Sequence, residues 1–249
     1  MSLPGRPKGK IRSAQHEGTP VTAAFVPPGP AAAPWWRHLV IEGTLGVGKT
    51  SLAVRLAAHA GADTLLEQPQ DNPFLERFYA DPAGHALRAQ LFFLVQRTRQ
   101  LAVLAQPGGL ERPIVGDYLF DKDAIFARLT LGHEDLCLYD AIHAHLAPRI
   151  PAPDVVIWLR AGPRALLERI ARRGRPMEHA VEAGYLARVS DAYAAHFATY
   201  RAAPVLAVDT ERFDPVGNDA DFARLLARLA ALDPADPAVP DAAPRAVTG

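Results

Sequence analysis

The residues best suited to chemistry in this sequence form a glycine-rich loop after a short apolar run. The run is His38–Glu42, and the pattern G-x-x-x-x-G-K-[ST] follows it from Gly43 to Thr50. Glycines allow a tight turn whose N–H groups point at phosphate oxygens, and the next helix adds positive potential. Lys49 is predicted to reach the β- and γ-phosphates, and the Thr50 hydroxyl to bind Mg²⁺. The residues predicted to contact a nucleoside triphosphate are Gly43, Thr44, Leu45, Gly46, Val47, Gly48, Lys49, Thr50 and Ser51.

Two carboxylates stand at the ends of predicted strands. Glu67 ends the run Thr64–Glu67, where it could accept a proton from an attacking hydroxyl; the alternative is an exposed strand-end acid. Asp117 ends the run Pro113–Asp117, the position of a Walker-B-type acid that holds Mg²⁺ directly or through water. The alternative for Asp117 is a turn or helix-capping residue.

Four arginines fall within the seven residues 169–175. Arg169 and Arg173, spaced i and i+4, share one helix face, and Arg175 lies just past Gly174. Such cations can simply complement the dipole at a helix C-terminus. In a chain with a phosphate loop they favour a lid that neutralises charge during phosphoryl transfer.

Strand-like runs alternate with helical runs between residues 35 and 232. The predicted strands are His38–Glu42, Thr64–Glu67, Pro113–Asp117, Asp154–Leu159 and Val205–Asp209. The predicted helices are Ser51–His59, Phe74–Tyr79, His85–Ala105, Lys122–Leu129, His133–Leu146, Pro163–Arg173, Glu182–Arg201 and Asp219–Ala231. The alternation predicts an α/β fold of the P-loop NTPase type, three layers with a five-stranded parallel sheet flanked by helices.

The two ends of the chain differ in composition from this middle part. Residues 1–34 and 233–249 are rich in proline and alanine without periodicity, so they are predicted to be a disordered leader and tail around one domain, 35–232. The formal net charge is zero, which argues against a general nucleic-acid or membrane-surface binder. Cys137 is the only cysteine and no apolar run could span a bilayer, so the cytoplasm is the expected location.

From residue 38 to about 218 the chain resembles the deoxynucleoside kinase family, which includes deoxyguanosine, deoxyadenosine, deoxycytidine and mitochondrial-type thymidine kinases. Each matching piece is short, but the ordered set is specific. The pieces are the phosphate loop, Glu67-Gln-Pro69, the segment Asn72–Tyr79, Gln90 with Arg97, the segment Asp117–Asp123, the arginine cluster and Val208-Asp209. The resemblance implies transfer of the γ-phosphoryl group of ATP, with Mg²⁺, to the 5′-hydroxyl of a deoxynucleoside in nucleotide salvage. It also implies a homodimer built through helices beside the active site.

The resemblance further implies roles for single residues. Glu67 matches the general base for the 5′-hydroxyl, while Tyr79 and Glu178 match the pair that holds the 3′-hydroxyl. Asp117 is counted among the substrate-contacting residues as well as being a Mg²⁺ ligand with Thr50. The residues expected to stabilise charge on the transferring group are Lys49, Arg169, Arg173 and Arg175.

Three further residues match those that read the base edge: Gln90, Arg97 and Asp123. An amide offers a donor and an acceptor, and an Arg–Asp pair presents both polarities. Thymidine-preferring members usually carry apolar or small residues at the last two places, so the sequence leans toward purine or cytosine substrates. The aromatic residues that are candidates to sandwich the base, or are simply core, are Phe74, Phe93 and Phe120.

The sequence departs from the family pattern in one place. Members commonly carry Glu-Arg-Ser or Asp-Arg-Ser where this chain has Asp117-Tyr118-Leu119. The arginine that contacts phosphate and supports the base is therefore missing. Either Arg175 or another arginine of the cluster compensates, or catalysis is slower.

Two other functions remain open. A nucleoside monophosphate kinase of the thymidylate type would use the same loop on an acceptor that already bears phosphate. A non-catalytic nucleotide-sensing P-loop module would bind the triphosphate without transfer. Glu67 with the Tyr79, Gln90 and Arg97 set disfavours the first, and intact candidates for base and lid disfavour the second.

Overall fold

One parallel sheet of five strands forms the centre of the computed structural model, which describes residues 34–146 and 151–232. The strands are β1 (His38–Gly43), β2 (Asp63–Leu65), β3 (Ile114–Gly116), β4 (Val155–Arg160) and β5 (Val205–Asp209). They lie in the order β2-β3-β1-β4-β5, all parallel. The predicted five-stranded parallel sheet is confirmed, and β1, which leads into the phosphate loop, lies at its centre.

Eight α-helices surround this sheet in the described part of the chain. They are α1 (Lys49–Ala60), α2 (Leu75–Ala80), α3 (Pro82–Ala102), α4 (Lys122–Thr130), α5 (His133–Leu146), α6 (Pro163–Arg173), α7 (Ala183–Thr199) and α8 (Asp219–Ala230). Helix α3 begins three residues before its predicted start, because Pro82 occupies its first turn and the Asp81 side chain accepts from Gly84 N. Short 3₁₀ turns lie at Pro69–Asp71 and Pro176–Glu178.

The alternation of side chains along the strands creates two apolar layers, one on each face of the sheet. In β1, Leu39 and Ile41 pack with α1, α6 and α8, whereas Val40 packs with α4 and α7. All six residues of β1 are buried, as expected for a strand covered on both faces. Helices α3 and α5 form a further cluster around Leu94 and Tyr139. The three-layer fold is thus held by continuous cores above and below the sheet.

The second strand ends earlier than predicted. It stops at Leu65, so Glu67 is not a strand residue but lies two positions beyond the strand. The cause is a tertiary contact: the backbone N–H of Glu67 donates to the Asp117 carboxylate at 2.7 Å instead of extending the strand ladder. The side chain therefore lies in a loop fixed from the neighbouring strand.

The predicted tail, 233–249, and all of the predicted leader except Pro34 lie outside the described residues. Within the described residues, no helix combines the length and the apolar character needed to cross a membrane.

His38, at the start of β1, makes stability depend on pH. Its ring is buried, and burial lowers its pKa to about 4, against the opposing charge of Asp154. Between pH 6.5 and pH 4, His38 is therefore protonated in the unfolded chain but not in the folded chain. The free energy of unfolding falls as pH falls through this range. Between pH 6.5 and pH 4, we expect the free energy of unfolding of the native protein to fall by about 3 kcal/mol more than that of His38→Gln. Chemical denaturation at both pH values measures this; equal losses would contradict it.

Candidate active site

The phosphate loop joins β1 to α1 in a conformation that only glycine adopts readily. Gly43 and Gly46 have φ of +147° and +82°. A Cβ at Gly43 would lie 2.2 Å from the carbonyl oxygen of Leu159, and one at Gly46 would lie 2.8 Å from Ile170 Cγ1. The loop backbone is therefore packed against β4 and α6. This close packing fixes the loop backbone, and with it the direction of the N–H groups that the motif uses to bind phosphate.

Most of the loop borders a single cavity of about 290 Å³. The loop residues on its wall are Gly43, Leu45, Gly46, Gly48, Lys49, Thr50 and Ser51. Thr44 and Val47 are buried and do not line the cavity. The Lys49 ammonium donates to the carbonyl oxygens of Gly43 and Thr44 at 2.7 and 3.3 Å. Burial, reinforced by the nearby charge of Lys122, lowers the pKa of Lys49 to about 8.

A buried carboxylate below the loop ties it to the rest of the site. Glu42 accepts hydrogen bonds from the backbone N–H of Gly43 at 2.8 Å and of Leu119 at 2.6 Å. It also accepts from the Tyr193 hydroxyl on α7 at 2.9 Å. Three donors satisfy this otherwise costly buried charge. Glu42 thereby fixes the phosphate loop relative to the segment that follows β3.

Asp117, just after β3, links two of the predicted functional residues. One carboxylate oxygen accepts from the Thr50 hydroxyl, and the other accepts from the backbone N–H of Glu67. The two oxygen ligands predicted for Mg²⁺ are therefore adjacent. The same carboxylate holds the predicted base close to the phosphate loop.

The Glu67 carboxylate lies between two cations. Arg97 on α3 donates to one oxygen, and Lys122, the first residue of α4, donates to the other at 2.8 Å. Burial would raise the pKa of Glu67, but the charges and hydrogen bonds of Lys122 and Arg97 hold it well below its ordinary value. Glu67 is therefore held in its ionised form, and the same two cations make it a weak base.

Three of the four arginines in 169–175 line the cavity, Arg169, Arg173 and Arg175, whereas Arg172 does not. Arg169 donates to the hydroxyl and carbonyl oxygens of Thr210, at 2.7 and 2.8 Å. Arg173 binds the carboxylate of Glu178 at 2.6 Å, and Arg175 approaches the same carboxylate at 3.7 Å. The structure thus joins Arg173 and Arg175 to Glu178, which the family resemblance implies as a sugar-binding residue.

The predicted sugar- and base-binding residues lie on the same wall, with one exception. Tyr79, Gln90, Arg97 and Glu178 line the cavity. Asp123 is fully buried and lies behind Arg97, whose guanidinium donates to it. Burial raises the pKa of Asp123 to about 6, and the charge of Arg97 opposes the rise. Asp123 can therefore orient Arg97, whereas direct contact with a base would require it to emerge from the core.

Of the aromatic candidates, the structure brings only Phe93 to the cavity. Phe120 packs with the α3–α5 cluster, and Phe74 packs beside α2 and α3. Their apolar surroundings assign them to the core. Three aromatic residues that the sequence did not single out also line the cavity: Phe78, Phe126 and Tyr185.

Comparison with known proteins decides the family. A model of the family described as deoxynucleoside kinase matches residues 39–232. The chain belongs to the deoxynucleoside kinase family. The family predicted from the motifs is confirmed, and the chain is a kinase, an ATP-dependent phosphotransferase.

Individual relatives of this kinase agree with the family match. A deoxyguanosine kinase from Bacillus subtilis (strain 168) is 35% identical over 199 residues, covering 78% of this chain and 96% of that protein. A deoxyadenosine/deoxycytidine kinase from the same organism is 29% identical over 202 residues, covering 78% of this chain and 92% of that protein. The solved structure of a deoxyadenosine kinase from M. mycoides with bound dATP has a TM-score of 0.67 at 24% identity, over 77% of this chain and 98% of that chain. This last likeness concerns the fold.

The residues of this kinase suit a magnesium ion. Thr50 supplies a hydroxyl and Asp117 a carboxylate side by side, and Mg²⁺ prefers few protein oxygens together with waters and phosphate. These two residues would hold the ion. When bound, it would neutralise negative charge on the donor phosphates.

Sequence reasoning also misses Thr130, Lys122 and Phe126 in the kinase site. Thr130 accepts from the Gln90 amide at 3.2 Å while donating to a helix carbonyl, which leaves the Gln90 carbonyl oxygen on the cavity side. Lys122 contacts Glu67, and Phe126 follows one helical turn later. The only sequence signal for these residues is the i, i+4 spacing of Lys122 and Phe126, which places them on one face of a predicted helix.

Proposed function

We propose that this kinase transfers the γ-phosphoryl group of ATP to the 5′-hydroxyl of a deoxynucleoside. One observation carries the proposal: a single cavity holds the phosphate loop, the arginine cluster and the ionised Glu67 carboxylate together. A phosphate-bearing acceptor would need a cation at the place where Glu67 lies. A carboxylate there suits a hydroxyl acceptor.

The chemistry divides among the residues already described. Glu67 accepts the proton as the O–H bond of the acceptor breaks, and the hydroxyl oxygen bonds to the γ-phosphorus. The bond from this phosphorus to the β–γ bridging oxygen breaks, and the leaving diphosphate takes the electron pair. Lys49, the loop N–H groups and the arginines stabilise the charge on the phosphate oxygens. Because the transition state of such transfers is loose, even a weakly basic carboxylate suffices.

The sugar and base would occupy the part of the cavity farther from the loop. Tyr79 and Glu178 are the proposed partners of the 3′-hydroxyl, and α2 packs against the 3₁₀ turn that carries Glu178. Gln90 offers its carbonyl oxygen and Arg97 its guanidinium toward the base edge, with Phe93 and Phe126 as apolar walls. Asp123 contributes by orienting Arg97.

A purine is the favoured base. An Arg–carboxylate pair behind the pocket presents polar groups where an apolar wall would suit a thymine methyl. The names of the relatives, deoxyguanosine kinase and deoxyadenosine/deoxycytidine kinase, support purine over thymidine and leave cytosine as the runner-up. The enzyme would serve salvage of deoxynucleosides in the cytoplasm, where a lone exposed cysteine such as Cys137 stays reduced.

The test is a panel of acceptors with ATP and Mg²⁺. Deoxyguanosine, deoxyadenosine, deoxycytidine and thymidine are compared with the corresponding 5′-monophosphates and with guanosine. We expect the highest kcat/KM for a purine deoxynucleoside. Transfer to monophosphates alone would assign a monophosphate kinase, and binding of ATP without transfer would assign a sensing module.

We also propose a homodimer. Helices α3 and α5 pack side by side, and large apolar side chains are exposed on both of them and just after α3: Val95 is 39%, Leu138 51% and Val103 53% exposed. We expect light scattering to give twice the chain mass of 26.9 kDa, and Leu138→Asp to shift the mass toward one chain. A monomeric native protein would contradict this.

A further inference from the structure

Lys122 is a buried cation at the N-terminus of a helix, a position that disfavours positive charge. It is the first residue of α4, and the positive end of the helix dipole repels a cation there. Its side chain is only 9% exposed. Violations of local preference concentrate at functional sites, because function offsets their energetic cost.

The segment between Asp117 and Lys122 explains how this lysine reaches the cavity. Tyr118 is buried, and its hydroxyl donates to the Gln100 side chain at 2.8 Å. Leu119 packs in the core between the sheet and α7. Tyr118, which stands where members of the family commonly carry arginine, thus faces away from the cavity. The chain returns to the cavity wall only at Lys122.

At the cavity wall, the Lys122 ammonium lies between the phosphate loop and Glu67, the proposed general base. It donates to Glu67 at 2.8 Å, and its charge is close enough to Lys49 to help depress the pKa of that lysine. An ammonium has three donors, and among the described residues Glu67 is the only hydrogen-bond partner of this one. Arg97, by contrast, is held by both Glu67 and Asp123. Lys122 is therefore the cation beside Glu67 with donors to spare for a ligand.

We propose that Lys122 replaces the missing arginine as a catalytic cation, holding Glu67 before the reaction and donating to the transferring phosphoryl group during it. The inference rests on the proposed function. Each oxygen of Glu67 accepts a hydrogen bond from one cation, so departure of either cation leaves that oxygen more basic and more open to the acceptor hydroxyl. Lys122 is the cation that can depart, because its spare donors bind phosphate oxygens when the triphosphate is present. The exchange frees the oxygen that takes the proton and places positive charge on the oxygens of the γ-phosphorus.

The first test is Lys122→Met, which keeps the apolar stem and removes the charge. We expect kcat with ATP and deoxyguanosine to fall about 100- to 1,000-fold. The dissociation constant of deoxyguanosine, measured by calorimetry without ATP, should stay within about threefold of the native value. Arg128→Met is the matched control, because Arg128 lies on the exposed side of the same helix. It should keep native kcat.

The second test separates a catalytic cation from a structural counter-ion. Ethylammonium added to Lys122→Ala should restore kcat by about tenfold or more in a saturable way, and Lys122→Arg should retain part of the activity. Native kcat in Lys122→Met would overturn the inference. So would parallel loss of nucleoside binding and kcat without amine rescue. A native enzyme inactive on every deoxynucleoside would instead overturn the proposed function, and this inference with it.

Discussion

Glu67→Gln is expected to lower kcat about 100- to 10,000-fold while the affinity for the deoxynucleoside changes little. The amide cannot accept the proton of the 5′-hydroxyl, but it keeps the shape of the side chain. It also keeps an oxygen that can accept from Arg97, one of the two cations that now hold the carboxylate. Steady-state kinetics with ATP and deoxyguanosine, combined with direct binding of the nucleoside, measure the two quantities separately.

A matched variant guards this result against nonspecific effects. Glu76→Gln makes the same chemical change on the exposed side of α2, and should leave kcat and KM at native values. Turnover in Glu67→Gln within about threefold of the native enzyme would remove Glu67 from the proposed mechanism.

Arg97→Met is expected to cost about 3–5 kcal/mol in the free energy of unfolding. The guanidinium is buried and serves two carboxylates, so its removal strands the charge of the fully buried Asp123. It also removes the cation on one side of the base pocket, so activity toward deoxyguanosine should be lost along with stability. Urea denaturation measures the first effect and steady-state kinetics the second.

The double variant Arg97→Met with Asp123→Asn tests the cause. If the Asp123 carboxylate left without Arg97 causes the destabilisation, its replacement by a neutral amide should restore about 2 kcal/mol or more of the free energy of unfolding. The double-mutant cycle should then be strongly non-additive. Arg99→Met, on the exposed side of the same helix, should change stability by less than about 0.5 kcal/mol. Equal stability of Arg97→Met and Arg99→Met would contradict the buried-pair argument.

The sequence predicts the fold well because its signals are local. Continuous apolar runs mark β1, β4 and β5, and the phosphate loop motif specifies a strand before it and a helix after it. The short β2 is the weakest of these predictions. Its end depends on a hydrogen bond between Glu67 and Asp117, residues 50 positions apart, which no local pattern encodes.

The parts of the site that the sequence misses are tertiary pairings. Lys122 reads as a polar residue at a helix start, and only the packing of Tyr118 and Leu119 into the core brings it to Glu67. The family resemblance implies Asp123 as a base contact, which stays a prediction, but spacing cannot tell a cavity wall from the layer behind it. Its complete burial behind Arg97 is a property of the packed molecule.

The most direct test of the account is to identify the product formed from deoxyguanosine, ATP and Mg²⁺ by phosphorus NMR and mass spectrometry. We expect deoxyguanosine 5′-monophosphate as the product, with one ADP formed for each molecule of it. Phosphoryl transfer to deoxynucleoside monophosphates with none to deoxynucleosides, or hydrolysis of ATP without a nucleotide product, would contradict it.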